Sequence, residues 1–420
     1  MDISPSRKKA LGWLLAAFTA LLLSSEPVAQ LCALPEELTL SQGATTRFNL
    51  NWPITASIDQ AQSVLSGLNE TLEDVTTVSL TGEEAGEATV TFRLMGVLPV
   101  KKVAVSVDKA RTLVPGGQSV GVAMTTRGVV VVGLSDPGGT VASPARLAGV
   151  RPGDVVTKID GKALLSAADL SERVAPGKPV TLTIERGERE LSVPVAPVQD
   201  GSGKSRLGLW VRDSTAGVGT LTFFDPESGA YGALGHAITD ADTGVILPID
   251  SGSLIESRIT EIERGEKGKP GELIGRFGAA SRVLGTIDSN GRCGIYGKID
   301  GTVVNALYPN GVPVMASGEV RPGSAQLLTT LDERGVRAYE CEIVRLTDAE
   351  SSERGFVVRI TDPELLARTG GIVQGMSGSP ILQNGRLAGA VTHVFVSDPT
   401  RGYGIFIENM LAAAQEKSAA

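Results

Sequence analysis

Gly375-Met376-Ser377-Gly378-Ser379-Pro380 is the stretch on which the reading of this chain turns. A serine flanked by glycines at a turn presents its hydroxyl beyond the backbone. The glycines also let a substrate carbonyl approach backbone N–H groups closely. Amides of Gly375 and Ser377 in that arrangement predict an oxyanion hole, which stabilises developing negative charge. Ser377 is the expected nucleophile. Ser379 is a second candidate, but its backbone is restricted by the proline that follows. Taken alone, the hexapeptide is equally a plain glycine-rich turn, so its weight depends on its surroundings.

Downstream, Pro380-Ile381-Leu382 leads to Asn384-Gly385, a hairpin signal, and Arg386 to Val391 reads as the returning strand. Gly402 to Phe406 is a further strand, and 406–416 is the one segment that reads as a helix in this half. This succession resembles the C-terminal end of chymotrypsin-like serine proteases. That resemblance implies a histidine ahead of the serine, on the opposite barrel. Gly232-Ala233-Leu234-Gly235-His236-Ala237-Ile238 supplies one. A serine hydroxyl is a weak nucleophile at its free pKa and needs such a base. The plain alternative for His236 is a core histidine bonded to a carbonyl. His393 is the rival base. Strand alternation puts Thr392 and His393 on opposite faces, and the chymotrypsin-like resemblance implies a hydroxyl residue on this strand that supports the triad, so Thr392 is expected toward the site and His393 as structural. The orienting carboxylate stays open among Asp240, Asp242, Asp250, Asp288, Asp300 and Asp362: Asp288 suits a chymotrypsin-like order, but a turn aspartate before Asn290-Gly291 is its plain reading.

Composition bounds the rest. The chain has 420 residues, 42% of them hydrophobic and 20% charged, with a net charge of -8. That length suggests about three domains. Fifty-one glycines and 4% aromatics describe a turn-rich β protein with aliphatic cores. An acidic chain without a basic stripe is a poor nucleic-acid binder. Two histidines, no H-E-x-x-H and no C-x-x-C pair argue against zinc, and no Walker loop is present, so no cofactor is expected. Arg7, Lys8 and Lys9 precede an apolar run from Ala10 to Leu23, which predicts a signal peptide or signal anchor over 1–33 and export. Cys32 reads as incidental. Cys293 and Cys341 are able to pair in an oxidising compartment, and the sequence leaves that open.

Residues 34–110 alternate with period two, as in Val90, Phe92, Leu94 and in Val103, Val105, Val107, which predicts a β-rich module. Residues 111–200 change character. Ser143-Pro144-Ala145 through Ala148-Gly149-Val150-Arg151-Pro152-Gly153-Asp154-Val155-Val156, then Ile159-Asp160-Gly161, resemble a bacterial PDZ domain. PDZ domains bind peptides by strand addition. The carboxylate loop is expected in Gly116 to Val122, with Ser119, Val120, Gly121 and Val122 as peptide-binding residues. Gly201 to Lys204 reads as a linker, so the catalytic domain is expected over 205–420.

Together with Gly371-Ile372-Val373-Gln374 before the nucleophile turn and Ala390 to Val396 after it, this order resembles the SpoIVB peptidase family. The resemblance implies a mainly β protein ending in a trypsin/chymotrypsin-like serine peptidase domain. It implies an exported endopeptidase of sporulation signalling, acting between the forespore and mother-cell membranes. Such an enzyme cleaves itself and a membrane-bound regulatory protein, and so triggers late sigma-factor activation. Ser377 takes the nucleophile position, His236 the base, and Asp362, in Ile360-Thr361-Asp362-Pro363-Glu364, the triad aspartate. A PDZ adaptor without catalysis, and a quality-control protease of the HtrA kind, are the competing readings. The HtrA kind usually carries its protease before its PDZ domain, whereas here the PDZ segment comes first.

Overall fold

The computed structural model describes residues 30, 33–51, 54–60, 63–72, 75–109, 111–137, 142–278, 281–347 and 353–416. The expected leader and Cys32 lie outside them. The chain forms two compact units, 1–111 and 112–420. Among the described residues no helix is long and apolar enough to cross a membrane.

The first unit is a pair of sheets around one apolar core. A four-stranded sheet runs in the order Glu37–Ser41, Leu98–Asp108, Gly86–Leu94, Ile54–Gln60, and a three-stranded sheet in the order Thr45–Asn51, Val75–Gly82, Leu65–Leu72. The period-two pattern buries one side of each strand. Val90, Phe92, Val103, Val105 and Val107 face Leu50, Val78 and Leu80 from the other sheet. Pro99 lies opposite Arg93 at a register shift, where a ladder tolerates a residue without an N–H.

The second unit is built on two strands of 16 residues each, Ser119–Leu134 and Leu209–Phe224. They pair antiparallel along nearly their whole length. One end of this ribbon completes the PDZ-like sheet. There the strand order is Arg189–Val195, Val180–Arg186, Val155–Ile159, Ser119–Leu134, Leu209–Phe224. Val129, Val131, Val156, Ile159, Leu182 and Ile184 fill the core beneath it. Ser143 caps the helix Pro144–Leu147 and Ser166 caps the helix Ala167–Arg173, each accepting from a backbone N–H three residues on. Asp160 and Gly161, both at positive φ, make the predicted tight turn.

The other end of the ribbon belongs to the catalytic half. It pairs there with Ala230–Ala233, followed by Gly294–Lys298, while Ile249–Glu256 lies along the opposite edge of Ser119–Leu134. A closed six-stranded barrel follows, in the order Gly323–Thr330, Val336–Leu346, Phe356–Ile360, Asp398–Phe406, Arg386–Phe395, Pro380–Gln383. The predicted terminal helix is Ile407–Glu416. The helix Pro363–Thr369 was not foreseen.

Gly201 to Lys204 is therefore a turn inside a continuous unit. Asp200 accepts hydrogen bonds from Ser202 N and Lys204 N, closing a small hairpin, and Leu209–Arg212 then returns to the PDZ-like sheet. Residues 119–124 pair within the catalytic half. The two halves expected on either side of residue 200 thus share the paired strands Ser119–Leu134 and Leu209–Phe224. Cys293 and Cys341 lie in different apolar clusters and no disulfide joins them. Burial pushes the Cys341 thiol up to about 12.

Asp154, 1% exposed, accepts from both arms of Arg186 at 2.6 and 2.7 Å and from Arg151 N at 2.8 Å. Removing one member of a buried ion pair leaves the other uncompensated. Asp154→Ala is expected to lower stability by about 3 kcal/mol in urea unfolding. A change below about 0.5 kcal/mol, the usual surface value, would show that the pair holds nothing together.

Candidate active site

The chain leaves Ala230–Ala233 through two residues in the left-handed region, Leu234 at φ 69° and Gly235 at φ 71°. This sharp exit delivers His236 to the mouth of a cleft of about 790 Å³. From the barrel side, the segment 371–379 brings Ser377 to the same cleft. The two approaches touch. A Cβ on Gly378 would lie 2.2 Å from Thr220 O and 2.5 Å from Leu234 N, and Gly378 itself has φ 92°. Only glycine satisfies both demands.

The nucleophile turn is held from beneath by the Leu209–Phe224 strand. Thr220 N donates to Ser377 O at 3.0 Å, Thr220 Oγ1 to Gly375 O at 2.8 Å, and Thr222 Oγ1 to Gly378 O at 2.8 Å. Gln374 N, Met376 N, Gly378 N and Ser379 N all donate to backbone carbonyls. The N–H groups of Gly375 and Ser377 have no acceptor among the described residues. Two donors are thus left over on either side of Met376, beside Ser377 and lining the cleft. This is the arrangement that receives an oxyanion.

Ser377 Oγ donates to Thr392 O at 2.8 Å. His236 Nδ1 meets Ala237 O at 2.8 Å. A carbonyl only accepts, so Nδ1 carries the proton and Nε2 keeps its lone pair, the tautomer a general base requires. Desolvation lowers the His236 pKa, against weaker opposing effects of the Ala237 carbonyl and Glu353. His393 stacks at 4.9 Å between ring centres. Desolvation, then His236 and Arg354, push it down to about 4.

Thr392 and His393 lie the other way round from the expectation. Thr392 is buried, its hydroxyl donating to Tyr403 O, while His393 lines the cleft. The pairing of Arg386–Phe395 with Asp398–Phe406 shifts register between Val391 and Val394, so simple alternation fails at these two residues. Thr392 contributes its carbonyl to Ser377 rather than its hydroxyl to an acid.

Asp362 does not reach the cleft. It caps the helix Pro363–Thr369, its side chain accepting from Leu365 N at 2.9 Å and Glu340 N at 3.3 Å. Asp-Pro before a helix is a capping signature, which accounts for the residue without catalysis. Asp288 is exposed on the chain before Ser289–Gly291 and does not line the cleft either. The acids that do are Glu272 and Glu353, the latter 3.6 Å from Arg292. Asn290 takes over part of the positioning. Its Oδ1 accepts from Ile238 N at 2.8 Å, and its Nδ2 donates to Ile238 O and Leu247 O at 2.8 and 2.9 Å. Nothing in an Asn-Gly pair announces that role. Ser379 is fully buried and faces away from the cleft.

The peptide groove also lies elsewhere than expected. Val120, Gly121 and Val122 pair on one side with Leu209–Phe224 and on the other with Ile249–Glu256, and Ser119 pairs with Thr220. With both edges occupied there, no peptide strand adds. The free edge is the opposite side of Leu209–Val211, which faces the helix Ala167–Arg173 across a cleft of about 390 Å³. Leu207-Gly208-Leu209-Trp210 forms its closed end, with Gly208 at φ 72°. This segment was hidden because it follows the other PDZ elements in sequence.

A family model described as SpoIVB peptidase S55 matches residues 203–411, and a PDZ domain model matches residues 139–186. A putative zinc metalloprotease of Agrobacterium fabrum is 35% identical over 109 residues, 23% of this chain and 29% of that protein. A probable periplasmic serine endoprotease, DegP-like, of Brucella suis is 32% identical over 127 residues, 28% of this chain and 23% of that protein. The matches thus span less than a third of either relative. The PDZ domain of an SdrC-like protein from Listeria monocytogenes aligns with 21% of this chain and 90% of its own length, at 23% identity and a TM-score of 0.18.

Both imidazoles are displaced below the usual histidine value of about 6.5. A lowered pKa keeps the ring neutral, and so able to accept a proton, to lower pH. The acidic limb of kcat/KM is expected below pH 6.5 in a pH–rate profile. A limb at or above that value would contradict the buried setting of the base.

Proposed function

From a chain that belongs to the SpoIVB peptidase S55 family, a PDZ-containing serine peptidase with its peptidase domain at 203–411, we propose an exported endopeptidase of sporulation signalling. It cleaves itself and a membrane-associated regulatory protein, and that cleavage triggers late sigma-factor activation. The observation that carries the peptidase chemistry to particular residues is the pair of amides without a protein acceptor, Gly375 and Ser377, in one cleft with the Ser377 hydroxyl and the His236 and His393 imidazoles.

The substrate backbone pairs with the free edge at Thr215–Val218, which walls the cleft. Its scissile carbonyl sits over Ser377. The serine hydroxyl leaves the Thr392 carbonyl and gives its proton to His236 Nε2 as Oγ attacks. The oxyanion then forms against Gly375 N–H and Ser377 N–H, where one donor is worth about 10²–10³ in rate. His236 returns the proton to the leaving amine, and water hydrolyses the acyl-enzyme by the reverse sequence. The Ala237 carbonyl holds the base in its working tautomer, the part a carboxylate plays in other triads. The basic and apolar N-terminal run supports export, and the groove at Leu209–Val211 takes a peptide ligand, from this chain or from its substrate.

Self-cleavage of the full chain, followed by intact mass, tests this. The wild type is expected to fragment, and Ser377→Ala to stay whole, a loss of at least about 10⁴-fold. Equal fragmentation of both would remove Ser377 from the reaction.

A further inference from the structure

The segment Ile238 to Leu247 is a hairpin that forms one wall of the cleft. Leu247 N donates to Ile238 O, Thr239 bridges Ile246, and Asp240 N donates to Val245 O. Its turn is organised by Asp240, which is 0% exposed. Asp240 Oδ1 accepts from Asp242 N at 3.1 Å and from Thr243 N and Oγ1, both at 2.9 Å. Its other oxygen accepts from Arg212 at 2.5 Å, and the second arm of that guanidinium reaches Asp242 at 3.1 Å. A buried carboxylate is stable only when its charge is matched, and Arg212 supplies the match. The hairpin starts two residues after His236 and contains the residue after Ala237, whose carbonyl fixes the ring.

Arg212 sits in an unusual stretch. Register shifts lie on both sides of it, between Trp210 and Val211 and between Arg212 and Ser214. Such irregularities re-aim side chains. Val211 lines the peptide groove, Arg212 turns to the hairpin, and Asp213 Oδ2 accepts from Ala167 N at the start of the groove helix.

We propose that Arg212 and Asp240 are a positioning pair for the reaction at Ser377, holding the hairpin that sets His236 and fastening it to the strand that walls the peptide groove. The inference rests on the serine-peptidase reading of Ser377 and His236. Neither residue touches the reacting atoms. The pair acts through the hairpin, so its loss displaces the imidazole while leaving the nucleophile turn on Thr220 and Thr222.

The chain has only two histidines, which makes the imidazoles directly observable. The full chain is labelled at the histidine Cε1 position, and its two resonances are assigned with His393→Gln. Hydrolysis of p-nitrophenyl acetate is measured in parallel. Arg212→Ala is expected to shift and broaden the His236 resonance and to lower kcat about tenfold, with KM changed less than twofold. Arg212→Lys keeps the charge but loses the two-armed fork, and is expected to restore part of both. An unchanged His236 resonance in Arg212→Ala would overturn the proposal. Should that variant fail to fold, Arg212→Lys carries the test, and an unchanged resonance there is equally fatal. If the wild type hydrolyses nothing while Arg212→Ala still shifts His236, the positioning stands and the peptidase assignment of this site falls.

Discussion

Three hydrogen bonds from Thr220 and Thr222 to the carbonyls of Gly375, Ser377 and Gly378 fix the nucleophile turn on the Leu209–Phe224 strand. They consume the carbonyl side of the turn and leave its amides facing the cleft. The half-buried Gly375 and Ser377 keep two N–H groups without a protein acceptor beside an accessible serine, where an external oxygen can be received. The turn has this shape because glycine at 375 and 378 tolerates φ near 90° and a contact that no Cβ survives. The same contact presses the turn against Leu234, two residues before His236. Ser377 and His236 are thus located relative to each other through backbone contacts.

One strand serves both activities of the second unit. Leu209–Val211 presents a free edge to a peptide, and Thr215–Val218 walls the reaction cleft. Thr220 and Thr222 hold the serine, and Arg212 reaches the hairpin behind the histidine. The two clefts therefore share a single strand, Leu209–Phe224.

Much of this was legible in the sequence. Period-two runs such as Val90 to Leu94 and Val103 to Val107 gave the strands, because half-burial writes itself into alternation. Asn384-Gly385 and Asp160-Gly161 gave their turns. Ser377, Gly375 and His236, singled out from local glycine and histidine signals, line one cleft. What escaped depends on pairing between distant segments. Thr392 and His393 exchange faces at an irregularity in the ladder, which no alternation rule foresees. Asp362 looked catalytic by resemblance, yet Asp-Pro at a helix start serves the helix. Ser119 to Val122 looked like a carboxylate loop, but strands on both sides close it. The unpaired edge, at Leu209–Val211, comes last in the chain order of the PDZ-like sheet. Asn290 and Arg212 act through single long-range contacts that leave no local trace.

The claim that everything else rests on is that Ser377 attacks, with His236 taking its proton. The most direct measurement is covalent labelling of the full chain with a fluorophosphonate, followed by peptide mapping. Modification is expected on Ser377 alone, and it should fall sharply in His236→Ala while surviving in Asp362→Ala. Label on Ser379, or full labelling of Ser377 without His236, would contradict the account.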